Sequence, residues 1–156
     1  MTIRYINIIT IASTMIIFNT CYAQASKDST NQKLLQEVRQ SHLDGNIPDK
    51  EQFDSLLKRD LEKHFSALYG TVTVNSEFLR VGPTQSGVSY PKYYLWTEIN
   101  IGQKLVSEGA VRVAAIDKTK FEITDYVDIN QIKNKSIDIH NIFPRAVCEK
   151  IESHLK

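Results

Sequence analysis

Apolar residues recur along the chain with two periods, and the change from one to the other falls at Gly70. Between Asp49 and Gly70 they stand three and four apart, with Phe53, Leu56, Leu57, Leu61, His64, Phe65 and Leu68 forming one stripe. That spacing predicts an amphipathic helix. Asp49, with Gln52 three positions later, approximates a capping box at its start. Gly70 is placed to end it, because glycine accepts a left-handed conformation at low cost. Asp54, Lys58, Arg59, Glu62 and Lys63 supply most of the solvated side. A weaker helical pattern runs from Lys33 to Leu43, with Leu34, Leu35, Val38 and His42 toward one side, before Asp44-Gly45-Asn46 breaks the chain.

After Gly70 the period becomes two. Thr71 to Val81, Tyr93 to Ile101, Gly109 to Asp117 and Phe121 to Val127 read as strands, with Leu105 to Glu108 extending the third. Gly82 to Pro91 is a loop, while Gly102-Gln103-Lys104 and Asp117 to Lys120 make short connections. Connections this short favour antiparallel neighbours, since parallel ones need a crossover of about a dozen residues. The tail returns to helical spacing: Pro144 suits a first helical position, and Val147, Ile151 and Leu155 follow at intervals of four. The expected fold class is α+β, with helices packed on one face of a four-stranded antiparallel meander sheet and a C-terminal helix. From about Asp49 to Val127 this order resembles the cystatin-like and NTF2-like architectures, in which a helix lies across a curved antiparallel sheet. The resemblance implies a fold and no activity.

The first residues follow neither period. Arg4 is the only charge before Gln24, Ile8 to Phe18 is mainly apolar, and Cys21-Tyr22-Ala23 has the small-x-small form of a cleavage site. Residues 1–23 therefore read as a signal peptide, 24–32 as a flexible leader, and 33–156 as one α+β domain. The expected location is exported, either periplasmic or secreted. An uncleaved anchor fits less well, because Asn7, Thr10, Ser13 and Thr14 interrupt a stretch already short for a span. A lipoprotein acylated at Cys21 also fits less well, because Phe18-Asn19-Thr20 departs from the usual Leu-small-small run. With Cys21 removed, Cys148 is the one remaining cysteine, which excludes an internal disulfide in the mature chain.

Charge narrows the function classes. The chain has 19 Lys+Arg against 18 Asp+Glu, and without Arg4 the balance is even. Nothing supplies the clustered cationic excess that nucleic acid requires. Gly82-Pro83-Thr84-Gln85-Ser86-Gly87 has the glycine spacing of a phosphate loop, but Val88 stands where lysine is needed and Tyr90-Pro91 follows in place of a helix start. It reads as a plain loop. His42, His64, His140 and His154 are far apart in sequence, and Ile132 and Lys133 spoil a calcium loop around Asp125, Asp128 and Asn130, so neither metal nor cofactor is expected. His64, on the helix stripe, reads as a core or boundary histidine. Cys148, at i, i+3, i+7 spacing with Ile151 and Leu155, reads as a buried small hydrophobe.

The candidate site is a sheet face. If the more apolar side of each strand meets the helix, the other side carries Tyr94, Trp96, Glu98, Asn100, Arg112, Glu122, Thr124 and Tyr126, with Tyr90 and Lys92 at the rim. Aromatics offer contact area and arginine a planar fork for a carboxylate. The expectation is a small binding or interaction domain for an anionic ligand or another protein, with Trp96, Tyr94 and Arg112 as anchors. A solvated face without further purpose is the plainer reading. The rival is an enzyme with Glu98 or Glu122 as general base in a sheet pocket, and the third reading an inhibitor or immunity-type protein. No nucleophile, metal cluster or cofactor loop supports catalysis, so the sequence favours a non-enzymatic role.

Overall fold

The structure, a computed structural model, describes residues 31–156. The expected signal peptide and cleavage site, Cys21 and most of the expected leader lie outside the described residues. The described chain divides into two units between Gln40 and Ser41. In the first, residues 31–40 are helical, and Leu34, Leu35 and Val38 are exposed.

The second unit begins with a helical stretch, α1 (residues 41–46), which runs through the expected break at Asp44-Gly45-Asn46. Asn46 holds that turn in place. Its side chain donates to the carbonyl of His42 at 2.8 Å and accepts the N–H of Asp117 at 3.1 Å, while its carbonyl accepts the N–H of Lys118 at 3.0 Å. Helix α2 (Lys50–Tyr69) follows and ends at Gly70, whose φ is 83°. Asp49 makes no side-chain cap; instead its carbonyl accepts the N–H groups of Gln52 and Phe53, and its carboxylate lies 3.6 Å from Lys118. Leu57, Leu61 and Phe65 are buried, but His64 and Leu68 on the same stripe are exposed, so the sheet covers the stripe only as far as Phe65.

Strands β1 (Thr73–Phe78), β2 (Lys92–Ile101), β3 (Lys104–Ile116) and β4 (Lys120–Asp128) form an antiparallel meander in that order. Asp117 and Lys118 adopt φ of 50° and 58°, the left-handed pair of a tight hairpin. Two irregularities matter. One lies in the β2–β3 pairing at Ile99/Asn100. The other lies between Arg112 and Val113, where β4 has an extra residue, Thr124. A bulge shifts the side-chain alternation by one. Phe121 and Ile123 therefore face α2, and so does Tyr126 rather than Val127.

The sheet separates two cores. On one face, α2 packs on Leu95, Ile99, Val111, Val113 and Phe121. The other face is not open. After β4 the chain forms a short helix α3 (Ile129–Lys133), a 3₁₀ turn (Ile139–Asn141) and helix α4 (Arg145–Ser153). These bring Ile132, Ile139, Phe143, Val147, Cys148 and Ile151 onto Tyr94, Trp96, Ala110 and Val127. The C-terminal helix thus covers the face expected to be solvated, because its own apolar stripe needs a surface to bury. Pro144 caps this helix from outside rather than occupying its first turn. Among the described residues no helix is long and apolar enough to cross a membrane.

Candidate functional site

The expected site residues do not meet. Tyr94 is 3% exposed, packs on Phe143, and shares a 2.7 Å hydrogen bond between its hydroxyl and that of Thr84. Arg112 donates to Asp125 at 2.6 Å, to the carbonyl of Ile142 at 2.8 Å and to Thr124 at 3.1 Å, so its fork is filled. Neither can anchor a ligand on an open face. Tyr126 lies on the α2 face against Phe65, where burial, partly offset by the hydrogen bond shared with Ser107, pushes its phenol well above the ordinary range. Glu122 is exposed on the edge strand β4. Tyr90 stacks on His42, with centroids 6.1 Å apart, and Lys92 pairs through its backbone with Thr84. Cys148 is buried with its sulfur 3.4 Å from the carbonyl of Phe143, and burial, then Glu152, raises its thiol.

Trp96 and Glu98 remain together, and the structure adds partners that the sequence did not point to. Where α4 ends, the second face stops being covered and leaves a cleft of about 300 Å³. Trp96 and His154 line it with Asn75, Ser76 and Glu77 of β1 and with the carboxylates of Glu98 and Glu108. The register explains the grouping. Glu77 pairs with Trp96, Asn75 with Glu98, and Glu98 with Glu108, so alternate residues of three strands face the same way. Ala110 opposite Trp96 leaves room for the indole.

The imidazole of His154 lies parallel to the indole of Trp96, with centroids 4.6 Å apart and planes 6° from parallel. Its Nε2 is 2.8 Å from Glu77. Trp96 is 5% exposed, yet its indole N–H finds no acceptor among the described residues and is not sealed from solvent. Glu98 and Glu108 stand directly opposite each other with no ion-pair partner among the described residues. Like charges so placed destabilise a sheet.

Two other concavities are distinct from this one. A groove of about 500 Å³ between the 3₁₀ turn and α4 is lined mainly by Ile132, Ile137, Ile139 and Leu155. An open groove of about 860 Å³ runs between α2 and β4, with Lys63, His64, Lys120 and Glu122 along it. No group of three or more His, Cys, Asp or Glu among the described residues is placed to hold a metal ion. No family model, curated protein or solved structure matches the chain. The likeness to cystatin-like and NTF2-like folds therefore rests on element order alone.

Proposed function

We propose that the chain is an exported binding domain that contacts another protein through the cleft at Trp96. One observation carries this reading: a tryptophan only 5% exposed lines a cleft beside two directly opposed glutamates that have no ion-pair partner among the described residues. Opposed like charges cost stability in the free domain, and a partner that brings positive charge relieves them. An anionic ligand is disfavoured, since Arg112 is engaged by Asp125 and the cleft is acidic. Catalysis is disfavoured too. A general base works best in an enclosed apolar surround, whereas Glu98 and Glu122 are both exposed and lie in different places. An inhibitor or immunity-type role would use the same cleft and differ only in the partner.

An array of extended peptides of varied charge, probed with the protein and with the Glu98→Gln/Glu108→Gln variant, tests the reading. A set of peptides bound by the first and lost by the second is the expected result. Identical binding by both, or none by either, would refute it. The export half of the proposal rests on the pattern of residues 1–23. It predicts that the chain recovered from the exported fraction starts at Gln24; a retained leader or a diacylglycerol on Cys21 contradicts that.

A further inference from the structure

Resting on the proposed binding role, we infer that the cleft receives a lysine or arginine side chain from an extended segment of the partner, which adds as a fifth strand to the free edge of β1. The first support is the edge itself. β1 is the outer strand of the sheet and only Val74 in it is buried. Leu79 donates its N–H inward to Tyr94 at 2.9 Å, whereas Val74 turns its N–H outward toward Glu62 at 3.4 Å. Antiparallel pairing alternates inward and outward groups, so the N–H groups of Ser76 and Phe78 also point away from β2. No described residue accepts them. An unprotected edge of this kind is a template for strand addition.

The second support is what stands beside that edge. Asn75 and Glu77, on the same strand, form one wall of the cleft, with Glu98 and Glu108 one and two strands further in. A side chain from an added strand that faces the cleft must reach over β1, which lysine and arginine are long enough to do. It would meet three carboxylates, of which only Glu77 has an ion-pair partner among the described residues, His154. A volume of about 300 Å³ lies at the small end of ligand pockets, and suits one or two long side chains better than a larger organic molecule.

The test is titration of the full chain with four probes: a peptide alternating arginine with threonine, the same peptide with prolines replacing alternate threonines, a glutamate-for-arginine version, and free arginine. Two variants accompany it. Glu98→Gln/Glu108→Gln removes cleft charge. Ser76→Pro removes an outward N–H at an edge position where proline is tolerated. Thermal unfolding of each variant confirms that it is folded. The expected result is saturable binding of the arginine–threonine peptide, weakened about tenfold or more by either variant and by the prolines, each an independent loss. Equal binding of free arginine and peptide, or indifference to Ser76→Pro, would overturn strand addition in favour of a small cation. Equal binding of the glutamate peptide would overturn the charge assignment. If peptides without basic residues bind in a way that depends on Glu98 and Glu108, the binding role stands and this inference falls. If no peptide of any charge binds, both fall.

Discussion

Nε2 of His154 lies 2.8 Å from Oε1 of Glu77, and the same imidazole stacks on Trp96, so one side chain from the end of α4 ties together β1 and β2. Trp96 is the single tryptophan of the chain and reports directly on this contact. His154→Ala is expected to raise quenching of its fluorescence by acrylamide and to shift its emission to the red. Because the side chain is 27% exposed, the stability loss should be small, below about 1 kcal/mol. Unchanged quenching would show that the stack is not populated in solution.

Arg112 is expected to matter for stability and not for binding. Arg112→Ala leaves the Asp125 carboxylate and the Ile142 carbonyl without their donor, at a cost of about 1–3 kcal/mol in urea unfolding. Arg112→Lys should recover little of it, since an ammonium cannot reproduce the fork. A variant as stable as the parent that loses peptide binding would reverse this assignment.

Asp60 is a second polar tie. Its carboxylate accepts the N–H of Phe121 at 2.7 Å, and Arg59 donates to both of its oxygens at 2.8 and 3.0 Å. Asp60→Ala is expected to cost about 1–3 kcal/mol. Asp60→Asn should cost less, because its amide oxygen still accepts from Phe121. Equal losses would mean that the charge matters more than the edge hydrogen bond.

Gly109 is required for its lack of a side chain. A Cβ there would collide with the carbonyl oxygen of Val127 and fall 3.0 Å from the Tyr126 ring. Gly109→Ala is expected to destabilise by about 3 kcal/mol or more, because backbone atoms must move. A loss under about 1 kcal/mol in chemical unfolding would show that β3 and β4 separate freely there.

The α+β class, the long helix and the four-strand meander were legible because burial on one side imposes a clear period on α2 and on each strand. The candidate site was not, for three separable reasons. The bulge at Thr124 inverts the second half of β4, and alternation alone carries no mark of it. The second face is covered by residues 129–153, whose apolar stripe is visible at Val147 and Ile151 but carries no mark of the surface it buries against. A signal for part of that cover was present in Asp128 and Gln131, which form a capping box at the start of α3. The cleft joins β1, β2, β3 and the end of α4, and a grouping of that kind appears only once register and packing are fixed.

Alkaline stability follows from Tyr93. Burial on the α2 face pushes its phenol up to about 12 from 10.0. The folded state therefore holds its proton more tightly than the unfolded chain does. That contribution is complete below about pH 10 and is lost as pH rises toward about 12. Urea unfolding across this range should show falling stability that Tyr93→Phe makes less steep. An identical slope in the variant would place the alkaline sensitivity elsewhere.

The most direct test of the cleft as the contact site is the nitrogen–proton NMR spectrum of the protein during titration with the arginine–threonine peptide. A single tryptophan gives a single indole N–H signal, and it belongs to the group that the cleft leaves without an acceptor. The account predicts that this signal moves saturably, together with the amides of Asn75, Ser76, Glu77, Glu98 and Glu108. Binding that moves amides along the α2–β4 groove while leaving the indole signal in place would contradict it.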